Sequence, residues 1–550
     1  MSFQQRLSDI ADAASDSGVA AIFDFDGTII AGYSATVFLR DQLKRGDLSR
    51  AELIQITQAV TSWGLGNTSF SALMAVHAQY LAGTSEAEYI AHSERLFKAG
   101  IARLIYPEIR QLIAAHRAAG HRIAIISSAT PYQVLPCAQD LGIDDVYCTE
   151  LEVKRGKFTG RVVSPTCFGE GKVTAAKHLA RRRKIKLANS FFYSDSADDL
   201  ELLEAVGRPV VLNPRGKLSG IARRAGWPSA KFDSRGKTSV SQVVRSMAAT
   251  TNLVSSFVMG LPIYALTKSP KEAVNFSISL FADTTSAIIG LDLDIKGEKN
   301  LWRQRPAVFM FNHQSKVDVA IMAKLVRRDI VGVGKKEIRD IPIIGKVMEM
   351  AGTVFIDRSD RAAAIATLRP LLSAIQDEGK SLVIAPEGTR TPTPKLAPFK
   401  KGGFHLAMQA GVPIVPVVIH NAGDIAPKGD FLFRKGQVRI EVLPPISTDG
   451  WTSDTLNEHI AAVRQQFLNA LGQSDDTVSS PVSRPPKGRV KRRATPGQAT
   501  AKTAGKGRAD PQSVSGSPTK ARAKSRPSKT ATSKTGGKKR ATTQSKTPDR

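Results

Sequence analysis

Only three cysteines, Cys137, Cys148 and Cys167, occur in 550 residues, and none stands in a CxxC spacing. That excludes a disulfide framework and suits a reducing compartment, with the thiols packed in cores. The N-terminus lacks a cationic stretch followed by an apolar run, so no signal peptide is expected and the first domain is expected in the cytoplasm. Ser474–Arg550 contains no Ile, Leu, Met, Phe, Tyr or Trp. Such a segment cannot bury enough apolar surface to offset the entropy of ordering, and it reads as disordered. Acids are equally scarce there. From Pro481 onward 20 Lys and Arg face 2 acids, which leaves only +11 of the net +29 for everything before. No internal repeat is visible.

What the chain does contain is two α/β patterns separated by apolar sequence. Ala20–Phe25 reads as a buried strand running into a turn, and Tyr33 to about Ala102 as helical, with amphipathic stretches such as Phe70–Leu81. Pro107–Gly120 has the Pro-first, Gly-last signature of a helix. Arg122–Ile126 is a second buried strand, Lys172–Lys184 a basic helix and Ser190–Ser194 a further strand. Strands alternating with helices predict a Rossmann-like parallel sheet, with ligands at the strands' C-terminal ends. Between Ser246 and Thr267 there is no charged residue, and a second apolar stretch, Ala273–Ile295, is interrupted by Asp283. Both carry enough polar residues to favour a helical hairpin lying in a membrane interface over true spans or a soluble buried pair. Leu301 to about Leu471 is the second α/β pattern. The expected domains are residues 1–235 with a helical cap at about 33–102, membrane-associating helices at 241–296, a second α/β domain at 297–472, and the basic tail at 473–550.

DFDGT at Asp24–Thr28 puts Asp24 and Asp26 two apart at a strand end, so both side chains start on one side of the sheet. Such a pair divides labour, one carboxylate attacking phosphorus and the other handling protons. Ser127 ends the next strand, where a hydroxyl can bind a phosphoryl oxygen. Lys172 opens a helix, with Lys157 and Lys177 as nearby competitors for its role. YSDSADDL then places Asp195 and Asp199 after a strand, where carboxylates can hold Mg²⁺. This order resembles the haloacid dehalogenase-like phosphatase superfamily over residues 18–232, in its phosphoserine phosphatase-like branch. The resemblance implies Asp24 as nucleophile and Asp26 as general acid/base. It implies Asp24, the Asp26 carbonyl and Asp195 as Mg²⁺ ligands supported by Asp199, and Ser127 and Lys172 as phosphate binders. It also makes 33–102 the cap that closes over a phosphate monoester. Arg40 and Arg45 in that cap read as solvated charges in preference to carboxylate binders.

NHQSKVD at Asn312–Asp318 separates His313 and Asp318 by five residues, about 140° around a continuous helix. They meet only if His313 precedes the helix and Asp318 lies in its first turns. Asp318 can then fix the tautomer of His313, which takes a proton from an alcohol. PEGTR at Pro386–Arg390 offers a Gly-containing turn with an arginine suited to phosphate. GTVFIDR at Gly352–Arg358 offers a second arginine, and VPIVPV at Val412–Val417 an apolar strand for an acyl-chain slot. These four blocks, in order, resemble the 1-acylglycerol-3-phosphate acyltransferases over residues 300–445, with Ala385 in place of the usual aromatic before PEGTR. The resemblance implies His313 as base oriented by Asp318, with Glu387, Gly388 and Arg390 forming the glycerol-phosphate site and Arg358 assisting.

Taken together, these readings predict a bifunctional, membrane-associated enzyme at the cytoplasmic face of the cell membrane. One domain hydrolyses a phosphate monoester. The other acylates lysophosphatidate from acyl-CoA or acyl-carrier protein, giving phosphatidate in phospholipid biosynthesis. The rival readings are an acyltransferase with a regulatory metabolite-binding passenger, and a phosphatase for lipid or glycerol phosphates. For the tail, an anionic membrane surface, at about 1 kcal/mol per charge, is preferred over a merely solvated segment. Nucleic acid ranks last, because the tail has no aromatic residue to stack on bases.

Overall fold

The computed structural model describes residues 3–12, 18–47, 50–64, 69–235, 238–357 and 368–475. The basic tail beyond residue 475 lies outside them.

The first sheet uses strands β1 (Ala20–Phe23), β2 (Arg122–Ile126) and β3 (Asp145–Tyr147). After a small antiparallel hairpin, β4 (Leu151–Lys154) and β5 (Lys157–Val162), it continues with β6 (Phe191–Ser194), β7 (Arg208–Leu212) and β8 (Ser229–Ala230). Its order is β3-β2-β1-β6-β7-β8, and every pair is parallel. The period of two explains why β1 is apolar throughout. Ala21 and Phe23 enter the core on one face while Ala20 and Ile22 enter the core on the other, so both faces are covered. Helices Ser34–Arg45, Arg50–Gly64, Phe70–Tyr80 and Glu86–Leu96 fill the stretch between β1 and β2.

The second sheet comprises β9 (Leu291–Lys296), β10 (Val308–Phe311), β11 (Ile330–Lys335), β12 (Val354–Ile356), β13 (Ser381–Ile384), β14 (Ile414–Ile419) and β15 (Gly436–Val442). Its order is β12-β11-β13-β10-β14-β15-β9. β14 and β15 are antiparallel, whereas the other pairs are parallel. Val308 and Met310 pack into one core and Phe309 and Phe311 into the other, as in the first sheet.

The apolar sequence between the sheets forms helices Val240–Thr267 and Pro270–Ile289. They approach so closely that a Cβ on Gly260 would lie 2.1 Å from Ser277 Oγ. Asn252, buried between them, donates to Thr284 Oγ1 at 2.7 Å and Thr285 Oγ1 at 2.8 Å. The first helix is long and apolar enough to cross a membrane by length and composition, and Val258, Met259, Leu261, Tyr264 and Leu266 on it are exposed. The second differs from expectation. It stops at Gly290, which takes φ +73° as a left-handed cap, and LDLDIK continues as β9. Alternation of Leu and Ile with Asp and Lys is a strand period, so the residues assigned to a membrane helix down to Ile295 belong in part to the second sheet.

Arg235 joins the two sheet domains. This buried guanidinium donates to the carbonyls of Arg103 and Ser234 on one side and of Asp424 and Gly423 on the other, at 2.9–3.3 Å. Arg103 Nη1 also donates to the Gly429 carbonyl at 2.9 Å.

Within the first domain, buried His116 meets Tyr193 Oη at 2.7 Å and His121 Nδ1 at 2.9 Å. Burial, then the neighbouring His121, pull its pKa down to about 3. A base depressed in the fold binds fewer protons than when unfolded, so its stability contribution is complete above about 6.5 and is lost as pH falls toward 3. The melting temperature of the protein is therefore expected to fall through this window. His116→Gln should flatten the slope by up to about 1.4 kcal/mol per pH unit. Parallel slopes in a thermal-melting series from pH 7 to 4 would refute the assignment.

Candidate active sites

In the first domain the motif residues converge at the C-terminal ends of β1, β2 and β6. Asp24 follows β1, with its N–H donating to the Tyr193 carbonyl at 2.9 Å. Lys172 Nζ sits between two acids, 2.7 Å from Asp24 Oδ1 and 2.6 Å from Asp199 Oδ1. All three side chains are buried. Of the competing lysines, Lys157 and Lys177 are exposed. Ser194 Oγ donates to Asp199 Oδ2 at 2.6 Å, so both Asp199 oxygens are occupied. Asp199 was expected to support a metal; its geometry makes it the anchor of Lys172. Asp26 turns its carboxylate onto Ser34, accepting from the N–H at 2.6 Å and Oγ at 3.1 Å, and Gln133 in turn donates to Ser34. Ser127 is buried at the end of β2, the strand beside β1. Asp195, after β6, accepts from Thr28 Oγ1 at 3.3 Å and pairs with Arg215 Nε at 3.0 Å. Ser34, Gln133 and Arg215 were not singled out from sequence; a lone arginine after a strand carries no local signal.

Electrostatics separate these acids. Burial, reinforced by Asp199 and Asp195 and opposed by Lys172, raises the Asp24 pKa above the usual carboxylate range. Burial lifts Asp195 to about 7 against the pull of Arg215, and Asp26 to about 6 against the Ser34 hydrogen bonds. Lys172 is held above its usual value because Asp199 and Asp24 outweigh its burial. Three buried acids and the half-buried Asp26 thus face two cations, Lys172 and Arg215, and a hard cation would relieve the excess. Among the described residues no group of three His, Cys, Asp or Glu side chains is set to hold a metal. The expected set, however, needs only the Asp24 and Asp195 carboxylates and the Asp26 carbonyl, oxygen donors that suit Mg²⁺.

In the second domain, His313 lies in the turn after β10 and Asp318 is the first residue of helix Asp318–Val326. Asp318 Oδ2 accepts from His313 Nδ1, Gln314 N and Ser315 N, each at 2.8 Å, and the residue is fully buried. Nδ1 of the ring therefore carries the proton and Nε2 is the basic nitrogen. His313 lines a cavity of about 850 Å³ bounded mainly by apolar residues of the two helices and the sheet, including Phe257, Phe281, Phe311, Met322 and Ile356. Gly388 takes φ +72°, and a Cβ there would meet Lys400 Cδ at 2.9 Å. Lys428 Nζ donates to the Arg390 carbonyl at 2.7 Å.

Two expectations change. Glu387, placed in the glycerol-phosphate site from sequence, has both oxygens occupied, by His313 N at 2.6 Å and Ala397 N at 2.9 Å. Burial lifts its pKa to about 7, and it braces the His313 backbone without presenting a free carboxylate. VPIVPV, expected beside an acyl chain, leads into the fully buried strand β14, and the cavity is walled by other residues. Arg358 lies outside the described residues.

Comparison with known proteins matches each half separately. A family model for haloacid dehalogenase-like hydrolases covers residues 21–204, and one for acyltransferases covers residues 292–420. The 1-acyl-sn-glycerol-3-phosphate acyltransferase of Limnanthes alba is 33% identical over 193 residues, 35% of this chain and 68% of that protein. The chain belongs to the 1-acyl-sn-glycerol-3-phosphate acyltransferase family. The Saccharomyces cerevisiae enzyme of the same name is 36% identical over 35% of this chain, and the match spans 63% of the yeast protein. A solved phosphoserine phosphatase, held as a phospho-aspartyl intermediate analogue, aligns with 17% identity and a TM-score of 0.31 over 40% of this chain and 96% of its own. This acyltransferase-family chain thus carries a haloacid dehalogenase-like hydrolase domain ahead of its acyltransferase domain.

Gly27 tests the first site. Its φ is +84°, and a Cβ would fall 2.1 Å from Asp195 Oδ2. Gly27→Ala is expected to displace Asp195 and cut p-nitrophenyl phosphate hydrolysis by about a hundredfold or more, since an ångström of misplacement costs that much. Unchanged turnover in a folded Gly27→Ala protein would refute this packing.

Proposed function

We propose that the chain is a bifunctional enzyme, hydrolysing a phosphate monoester in its first domain and converting 1-acylglycerol-3-phosphate to phosphatidate in its second. The observation that carries the second activity is the Asp318-oriented His313 at the wall of an apolar cavity large enough for an acyl chain. His313 Nε2 takes the proton of the acceptor hydroxyl, whose oxygen attacks the thioester carbonyl of acyl-CoA or acyl-carrier protein. The carbon–sulfur bond breaks and the departing thiolate recovers the proton from His313. Gly388 and Arg390 receive the glycerol phosphate, with Glu387 holding the base in place.

In the first domain Asp24 attacks phosphorus, forming an aspartyl phosphate while Asp26 protonates the leaving oxygen. Asp26 then takes a proton from the water that hydrolyses the acyl phosphate. Ser127 and Lys172 bind the phosphoryl oxygens. Mg²⁺, held by Asp24, Asp195 and the Asp26 carbonyl, would supply charge neutralisation there. The first substrate to try is phosphoserine, from the resemblance to that branch. The exposed apolar face of Val240–Thr267 supports docking at a membrane interface, on the cytoplasmic side, with the basic tail on anionic lipid.

The test follows lipid products and inorganic phosphate together, using full-length protein, Mg²⁺, lysophosphatidate, acyl-CoA and phosphoserine. Asp24→Asn is expected to abolish phosphate release and spare phosphatidate formation, and His313→Ala to do the reverse. If each folded variant lost both activities, the two-site reading would fail.

A further inference from the structure

The cavity at His313 is apolar in its body and cationic at one end. Among the described residues that line it, Lys316 and Lys400 carry charge beside the histidine, and no carboxylate is present. Both lysines belong to turns that meet at His313. Lys316 follows it in the turn after β10, and Lys400 is tied to the PEGTR turn, its N–H donating to the Pro386 carbonyl at 2.7 Å. The two turns are themselves joined. Glu387 accepts from His313 N at 2.6 Å, and Thr391 N donates to the His313 carbonyl at 2.8 Å.

Lys400 is exposed, but the end of its side chain lies across the turn. A Cβ on Gly388 would fall 2.9 Å from its Cδ and Cε and 3.1 Å from its Nζ. Lys316 is half-buried, its Nζ 4.0 Å from the centre of the Phe433 ring and 4.9 Å from that of Phe431. It donates to the Phe431 carbonyl, and an ammonium has further N–H donors to offer. Asp430, the acid that acts on Lys316, is already met by Arg434 Nη2 at 2.7 Å and Leu432 N at 3.1 Å. Burial pulls the Lys316 pKa down to about 8, against Asp430 and with the help of Arg390 and Arg434. An ammonium placed among cations and partly out of water is stabilised when an anion arrives.

An apolar cavity with a base and two cations at one end matches an amphiphile whose anionic head lies beside its reacting atom. We propose that Lys316 and Lys400 bind the phosphate of such a substrate, and that they make the second site select phosphate-bearing substrates over neutral ones of the same chain length. This rests on the acyltransferase reading and adds two residues to Gly388 and Arg390 at the head group. Lysine acts as a point charge and does not prescribe one phosphate geometry. The phosphate can therefore come from the lipid acceptor or from an acyl-CoA donor, and kinetics separate the two.

Dodecylphosphonate, which has no hydroxyl to acylate and no ester to hydrolyse, is the probe, titrated into full-length protein by calorimetry with dodecanol as the neutral control. Mg²⁺ is left out, so that the acid-rich first site repels the probe. Lys316→Met and Lys400→Met are each expected to weaken phosphonate binding about tenfold or more and to leave dodecanol binding alone. Lys400→Arg, which keeps the charge, should keep the affinity. In phosphatidate formation, a raised KM for lysophosphatidate at unchanged kcat assigns the phosphate to the acceptor, and a rise confined to acyl-CoA assigns it to the donor. Natural affinity for the phosphonate in either folded Met variant would overturn the pair, as would unchanged KM values for both substrates. Lys400 is exposed, so its variant decides the matter should Lys316→Met fail to fold. Phosphonate binding that depends on both lysines, in a protein that forms no phosphatidate, would keep the anion site and overturn the acyltransferase reading instead.

Discussion

A carboxylate taken out of water must be met by donors or cations, and both catalytic constellations are organised by how that demand is satisfied. Asp318 is completely buried, and three donors converge on its Oδ2. Two are backbone N–H groups of the turn that opens its own helix, where the peptide dipoles favour negative charge. The third is the histidine ring, and its tautomer follows. Asp24 and Asp199 solve the same problem with one ammonium shared between them. The solutions suit the chemistry. A base, the role proposed for His313, needs an orienting acid that stays fixed, and a nucleophile at phosphorus, the role proposed for Asp24, needs an electrostatic partner such as Lys172.

The position of these sites in the fold follows from parallel strands. Each motif begins where a fully buried strand ends, β1 for Asp24, β6 for Asp195 and β10 for His313. These ends are where the chain turns toward a helix and free N–H groups become available. Gly27 and Gly388 stand in such turns with positive φ, Gly27 with a Cβ position only 2.1 Å from Asp195 Oδ2 and Gly388 against the flexible end of Lys400.

Legibility in the sequence followed the range of the interaction. NHQSKVD was readable because the partners of Asp318 lie within a few residues, so spacing alone limits the geometry, and DFDGT because its two aspartates stand two apart at a strand end. Lys172 could be ranked against Lys157 and Lys177 only by resemblance, since burial between Asp24 and Asp199 depends on β6 lying beside β1. Arg215 and Ser34 escaped notice for the same reason. Glu387 was read as a ligand for substrate because PEGTR looks like a phosphate turn; its hydrogen bonds to His313 and Ala397 join segments that the sequence keeps apart. LDLDIK was a different failure. Its alternation is a strand period, but the apolar run before it gives no break in hydropathy at Gly290, where the helix ends.

The junction between the halves rests on neutral acceptors. Arg235 spends its donors on four carbonyls and pairs with no carboxylate, and burial together with Arg434 lowers its pKa only to about 10. It stays charged at neutral pH, and its bonds do not weaken when a partner acid protonates. What it holds is Gly423 and Asp424, at the head of the segment that leads to Lys428, whose ammonium supports the Arg390 carbonyl. On the other side it holds Arg103, beside Leu104, whose carbonyl accepts from Ala31 N, and Ile105, which bridges to Ile30 just past DFDGT. Two turns that serve different chemistries therefore share one support a few residues deep. Because that support is made of backbone carbonyls around a single guanidinium, removing the guanidinium would take the donor from four carbonyls at once.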